Sequence, residues 1–410
     1  MTATPSPISA PVPAPTPAPT PADARPIRLC LFQPALPKYR LPVFRELASR
    51  PGIDFNLFYS SDEPVKNVNP DGFRGTSIQS KALWKKPRLL WRQAQLENID
   101  PSRFDVVVAG WNTRYLSLVP SLLLARKRGI PTVLWGHGYS KNENFSRRFL
   151  RDSIGNLATG ILFYGATARN RFVARNGRPE RAFVAPNSLD QRELQAARDV
   201  WLAKPDELHR FREKHGLLAG PVLLFVSRLT SDNRTEMLLS AAPIIRKSYP
   251  GLKVVIIGSG DEEARLRALT KQLAIEDCTI YTGAIYDEVE LAPWFMSSDL
   301  FVYPRNIGLS LLHAMGYGLP VITTDNEQSW APEVDALQPW INGMTYQDGS
   351  VDALAHIVRV ILSDRQRLDQ MKANAFRTAT QEYSLTKMVN GMEAAIRYAV
   401  GTRQKNQSVR

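Results

Sequence analysis

Apolar positions along this chain fall into short continuous runs that end in glycine, proline or asparagine, alternating with longer segments whose apolar residues recur at helical spacing. Buried strands alternating with covering helices are the mark of a parallel α/β sheet, whose strands are apolar on both faces. The pattern is densest over residues 297–326, SSDLFVYPRNIGLSLLHAMGYGLPVITTDN. It predicts a strand at 300–303, a turn at Pro304, Arg305 and Asn306, a buried helix over 308–315 and a second strand at 319–323. No charged residue lies from Asn306 through Thr324, so a membrane span is the rival reading. The glycines, Pro320 and Asn306 fall where turns and caps belong, which favours a buried strand-helix-strand unit. Upstream, strands are predicted at 27–32, 53–59, 105–109, 131–135, 160–164 and 182–185, with helices from about residue 41 and over 118–127. Downstream, the alternation restarts with strands at 222–226, 253–257 and 278–281, helices at 235–247 and 287–296, and closing helices over 351–362 and 385–400.

Two such series in 410 residues imply two domains, because single cores stop growing at about 250–300 residues. Residues 1–26 hold nine of the thirty prolines and read as a disordered Pro/Ala-rich tail without the basic and apolar regions of a secretory signal. Residues 27–190 form the first domain, 191–220 a polar, helical linker, 221–385 the second domain, and 386–410 a C-terminal helix and tail. Cys30 and Cys278 are far apart, form no metal-ligand spacing and fit a reducing compartment.

The net charge of +13 is unevenly spread. Residues 1–190 contain 27 Lys+Arg against 13 Asp+Glu, leaving 25 against 26 for the rest. The first half therefore carries all the excess, which implies an anionic partner there: a phosphate-bearing acceptor, an anionic membrane leaflet or a nucleic acid. No recognition motif accompanies the basic residues, so nucleic acid is set aside. A merely soluble basic surface is the plain alternative.

Lys38, Tyr39 and Arg40 lie in the loop at the C-terminal end of the first strand, the edge at which open α/β sheets bind ligands. Residues 81–93, KALWKKPRLLWRQ, place Trp84, Lys85, Lys86, Arg88 and Trp91 together, and basic residues beside indoles suit a lipid headgroup interface. Pro87 interrupts a continuous amphipathic helix, and a helix packing its tryptophans inward is the alternative. His137 stands between Gly136 and Gly138 at another strand end, where flanking residues without side chains leave room for a ligand. The GSGDEE turn at 258–263 reads as tight turn chemistry with Asp261 as an N-cap rather than as a phosphate cradle.

Read together, SRL at 227–229, IGSGD at 257–261, TGAI at 282–285, SSDLFVYP, IGLSLLHAMGYGLPVI, and PEVDAL followed by NGMTY resemble the retaining GT-B glycosyltransferases of family 4, the glycosyl transferases group 1. The resemblance runs from residue 27 to about residue 400. LPKYRLPVFREL and LWGHG are similar to a subgroup involved in bacterial surface polysaccharide assembly. The resemblance implies an α/β GT-B fold of two Rossmann-like domains facing a cleft, with the acceptor on 27–190 and a nucleotide-sugar donor on 221–385. It further implies that Asn306 and Gly308 meet the diphosphate, that Arg228 clamps it as it leaves, and that Gly283 and Tyr286 receive the base.

Three positions depart from the family. The ends of its E-x7-E pattern are Arg305 and His313, and its lysine after the SRL arginine is Asn233, followed by Arg234. What the resemblance then implies is that Arg305 faces the diphosphate, Arg234 replaces the lysine's charge and Glu333 supplies a compensating carboxylate. His313 either takes over part of the ribose contact or is a core histidine satisfied by backbone. The expected activity is hexosyl transfer with retention from a nucleoside-diphosphate sugar to a lipid-linked or oligosaccharide acceptor, with His137 orienting sugar or acceptor. No cofactor beyond that substrate and no metal is expected, since the sequence has no Asp-x-Asp or His/Cys cluster. The expected location is the cytoplasm, peripheral on an anionic membrane surface. A GT-B nucleotide-sugar epimerase and a catalytically degenerate nucleotide-sugar-binding scaffold are the alternatives.

Overall fold

A computed structural model describes residues 25–62, 65–85, 88–139 and 144–408, so the tail expected over 1–26 lies almost wholly outside the described residues. The first domain contains β1 Ile27–Gln33, β2 Ile53–Tyr59, β3 Arg74–Ser77, β4 Lys81–Lys85, β5 Arg88–Trp91, β6 Val106–Gly110, β7 Thr132–Gly136, β8 Gly160–Phe163 and β9 Ala182–Val184. The second contains β10 Val222–Val226, β11 Lys253–Ile257, β12 Thr279–Gly283, β13 Leu300–Val302, β14 Val321–Thr324 and β15 Gly343–Tyr346. The first sheet runs β3-β2-β1-β6-β7-β8-β9 and the second β12-β11-β10-β13-β14-β15, all parallel. Strands such as β7 and β14 are buried at every position, which is why they read as unbroken apolar runs. In both sheets the order of connection reverses next to the first strand, between β1 and β6 and between β10 and β13. Such switch points open crevices at the C-terminal ends of the strands.

The structure corrects two local expectations. Residues 81–93 form no helix: β4 and β5 pair as an antiparallel hairpin, followed by a short helix Gln93–Glu97. Leu90 draws β5 inward, since it is buried in one apolar cluster with Tyr115 and bridges to that residue. Lys86 and Pro87 lie outside the described residues. Asp261 caps nothing, because helix Glu263–Gln272 has Glu262 at its N-cap and no side-chain cap bond.

The domains are tied together by more than one crossing. Helix Gln191–Leu202 follows the first domain yet packs on the second, where the Trp201 indole donates to the Val289 carbonyl at 2.8 Å. The final helix Leu385–Ser408 runs the other way and buries Met388, Val389, Met392 and Ile396 in the first domain's core. Each such side chain contributes roughly 1.5–3 kcal/mol on burial, so this helix holds the first domain to the end of the second.

Candidate active site

The site begins at the β10/β13 switch point, where the Ser227 and Tyr303 hydroxyls hydrogen-bond at 2.9 Å. Arg228 follows, exposed and in no ion pair among the described residues, so it is not an inter-strand salt bridge. Asn233 is buried and spends its amide on this loop, donating to the Arg228 carbonyl at 2.7 Å and the Ser227 hydroxyl at 3.3 Å. The charge falls to Arg234, left-handed at φ 52, whose Nε lies 3.7 Å from Glu236. Asn306 is also left-handed at φ 61, which asparagine tolerates, and its amide donates to the Asp232 carbonyl at 2.9 Å, joining the two loops. Arg305 and Arg234 both act on Asp348. Burial pushes that carboxyl up, but hydrogen bonds from Asn326 and Thr324 and the two guanidinium charges bring it below its ordinary range.

Glu333 stands across from Gly308, with its Oε2 4.0 Å from where a Cβ on Gly308 would sit. The carboxyl is buried at 4% exposure, Oε1 accepts from the Asn187 amide, and Oε2 has no hydrogen-bond partner among the described residues. Burial pushes the Glu333 carboxyl up, only partly offset by its backbone and Asn187 hydrogen bonds and the charge of Arg40. Arg40 reaches this cleft from the first domain. Arg40 is 6% exposed, and its guanidinium lies 5.3, 5.1 and 5.3 Å from the ring centres of Tyr39, Trp135 and Tyr164, with no ion pair among the described residues. His137 is exposed beside it, 4.9 Å from the Tyr164 ring. The flanking glycines serve packing rather than ligand approach. A Cβ on Gly136 would come within 2.8 Å of Trp111, and one on Gly138 within 2.5 Å of Phe163.

His313 is neither free nor satisfied by backbone alone. Its Nε2 lies 2.8 Å from Glu288 Oε1, which also accepts from the Tyr317 hydroxyl at 2.7 Å. Burial raises the Glu288 carboxyl, but bonds from His313 and Tyr317 and the imidazole charge outweigh it and leave it below its ordinary range. Gly283, at φ 77, and Tyr286, 92% exposed, line the neighbouring strand end. Other expected positions lie apart from this cleft. Lys38 is exposed and pairs with Glu193 at 3.3 Å. In the hairpin Trp84 is 62% exposed, Trp91 is half-buried and Arg88 donates to the Asp62 carbonyl at 2.8 Å, while the Lys85 side chain and Lys86 are outside the described residues.

Sequence reasoning did not single out Asn187, Tyr164, Glu288 or Asp335. Asp335 accepts from the Thr167 backbone N–H at 2.9 Å, capping the first turn of helix Ala166–Asn176 across the domain boundary. Arg171 and Glu327 pair across the same boundary at 2.8 Å. Among the described residues no three His, Cys, Asp or Glu side chains gather as a metal ion would need.

Residues 180–378 match the family model described as glycosyl transferases group 1. A GDP-mannose-dependent alpha-(1-6)-phosphatidylinositol monomannoside mannosyltransferase of Mycolicibacterium smegmatis is 27% identical over 262 residues, 60% of this chain and 65% of that protein's length. The amylovoran biosynthesis glycosyltransferase AmsK of Erwinia amylovora is 29% identical over 145 residues, 33% of this chain and 34% of its own. Among solved structures, HepE of Anabaena in complex with UDP superposes with a TM-score of 0.66 at 16% identity, covering 90% of this chain and 99% of that one. The fold is thus α/β of the GT-B kind, two Rossmann-like domains facing a cleft.

Proposed function

We propose, from the match of residues 180–378 to the glycosyl transferases group 1, that this chain transfers a hexosyl group, with retention, from a nucleoside-diphosphate sugar to a lipid-linked or oligosaccharide acceptor in surface or exopolysaccharide biosynthesis. The observation that carries this reading is the Glu333 Oε2, without a partner among the described residues and facing Gly308, on a turn whose Asn306 amide bonds to Asp232 in the loop that follows Arg228. A diphosphate needs cations, and a sugar hydroxyl needs an acceptor. Arg228, Arg234 and Arg305 neutralise the diphosphate as its bond to the sugar breaks, and Glu333 accepts from a hydroxyl of the sugar. The acceptor hydroxyl attacks the anomeric carbon on the face the diphosphate leaves, and its proton passes to the departing phosphate oxygen. Arg40 and His137 orient the sugar or acceptor from the first domain. With three guanidinium groups at the phosphates, the reaction is proposed to need neither metal nor cofactor.

The printed names of the relatives, a phosphatidylinositol monomannoside mannosyltransferase and an amylovoran biosynthesis glycosyltransferase, support a glycan acceptor. A cytoplasmic, membrane-peripheral location is proposed from helix Phe145–Leu157, which turns Phe145, Phe149 and Leu150 outward at 75%, 66% and 55% exposure beside Arg147. No described helix is long and apolar enough to cross a membrane. The test is incubation of purified protein and a membrane extract with radiolabelled UDP- and GDP-sugars. Label should move from one of them into lipid-extractable or polymeric material. Isomerisation of the donor without acceptor would replace this reading with an epimerase, and donor binding without any turnover, unaltered in Arg228→Ala, with a scaffold.

A further inference from the structure

Lys38, Tyr39 and Arg40 follow β1, and they differ in what they meet. Lys38 is taken up by Glu193 and the Tyr39 ring lies against Arg40, while Arg40 itself is turned into the protein. Among the described residues the only acceptor for its guanidinium is the Met388 thioether, 3.7 Å from Nη1, a weak acceptor without charge. The Tyr39, Trp135 and Tyr164 rings attract the cation but bring no negative charge to it. Arg40 is also the N-cap of helix Leu41–Ala48, whose first turn has neither a side-chain cap nor an acid, so the helix dipole adds to the positive charge.

The acids within electrostatic reach are engaged elsewhere. Glu333 feels the charge of Arg40, yet its Oε1 accepts from Asn187 and burial favours its protonated form. Asp335, which also acts on Glu333, accepts from the Thr167 N–H at 2.9 Å. A buried charge without a counter-ion is costly, and a guanidinium is shaped for a carboxylate, so this cation is kept for an anionic group of a ligand. On the transfer reading the diphosphate has its own cations in Arg228, Arg234 and Arg305 of the second domain. Arg40 acts instead on Glu333, the residue that faces Gly308 and takes a sugar hydroxyl, so the second anionic group belongs to the sugar. A neutral hexose would offer Arg40 hydroxyl oxygens and no charge. A hexuronic acid presents two carboxylate oxygens side by side, as the guanidinium fork requires.

We infer that the sugar of the donor is a hexuronic acid, and that Arg40 selects it by pairing with its carboxylate across the cleft from Glu333. The inference deepens the transfer reading and rests on it for the word donor. The proton that burial favours on Glu333 keeps that neighbour from opposing a second carboxylate.

The test is calorimetric titration of the full chain, without acceptor, with pairs of donors that differ only in bearing a carboxylate or a hydroxymethyl group: UDP-glucuronic acid and UDP-glucose, UDP-galacturonic acid and UDP-galactose, GDP-mannuronic acid and GDP-mannose. In the pair whose base and stereochemistry fit, the uronate is expected to bind at least about tenfold more tightly. Arg40→Met fills the ring-lined space without charge and should bring that ratio to about one, whereas Arg40→Lys keeps the charge without the fork and should retain part of it. A cation serving only to hold the fold, or one bound to the diphosphate, would change the affinity of both members of a pair alike and leave the ratio as it was. Equal or tighter binding of the neutral member overturns the inference in the wild-type chain alone, and so does a ratio untouched by Arg40→Met in a cooperatively unfolding variant; in both cases transfer from a neutral donor stands. If no member of any pair binds, the transfer reading falls and this inference with it.

Discussion

Glu333 carries two opposed demands. As a buried carboxyl pushed above its ordinary value of 4.5, it binds its proton more tightly in the folded chain than in the unfolded one. Its contribution to stability is therefore full below about pH 4.5 and is lost as pH rises through the folded value. Glu333→Gln removes that loss, so its thermal midpoint should fall less than the wild type's between pH 5 and pH 8, while transfer drops about 10²-fold. Parallel melting curves for the two proteins would contradict a carboxyl buried in the folded chain as described above. Arg228 differs in kind. It is exposed and in no ion pair among the described residues, so Arg228→Ala should leave stability within about 0.5 kcal/mol yet weaken nucleotide-sugar binding about ten- to a hundredfold, with Arg228→Lys between the two. Calorimetry with the best donor of the panel checks it, and unchanged affinity would move the phosphate clamp to Arg234 or Arg305. Arg228 was legible in the sequence through the SRL motif that carries the family resemblance. Asn187 and Glu288 were not, because each matters through a partner, Glu333 or His313, that only folding brings near.

Among the elements, the interdomain cap is the most exposed to experiment. Helix Ala166–Asn176 has Gly165 at its N-cap and no side chain of its own to satisfy the first N–H groups; Asp335 of the other domain does so. A Cβ on Gly165 would press on that carboxylate, so this glycine is the seat of the contact. Asp335→Ala should cost about 1 kcal/mol and raise hydrogen exchange at Thr167 and its neighbours first. Exchange unchanged there would mean the helix start is satisfied within its own domain. The sequence predicted the strands flanking this helix, since their apolar runs are local, but a cap supplied from 168 residues away has no local signature. The hairpin of β4 and β5 was misread for a related reason. Its mixture of lysines, leucines and tryptophans fits either period, and the deciding contact, Leu90 against Tyr115, is with a distant loop.

At the scale of the whole molecule the charge asymmetry and the outward helix Phe145–Leu157 belong together. Apolar side chains in a basic setting bind anionic bilayers through both area and charge, and the electrostatic share is screened within about 8–10 Å at physiological salt. The protein should float with vesicles containing anionic lipid at low salt and be released by about 0.5 M salt. Phe149→Ala combined with Trp84→Ala should reduce flotation several-fold without altering the thermal midpoint. Equal flotation with neutral vesicles, or none with anionic ones, would remove the membrane from the account. The two-domain frame itself is closed by chain crossings at Gln191–Leu202 and Leu385–Ser408, which make the cleft a joint property of both halves.

Periodicity and turn chemistry along the chain were enough to determine a doubly wound α/β architecture in two units, because buried parallel strands are apolar throughout and their glycine-marked ends are set by neighbours in sequence. Ordered motifs narrowed this to a family, and the count of charges placed the basic half. Tertiary structure decided which groups meet: Glu333 with Asn187, His313 with Glu288 and Tyr317, and Arg40 within its aromatic rings. Those pairings join residues up to 146 positions apart. They arise because sheet order sets strands β1 and β6, and β10 and β13, side by side, and no periodicity in a single chain records which strand ends will face one another.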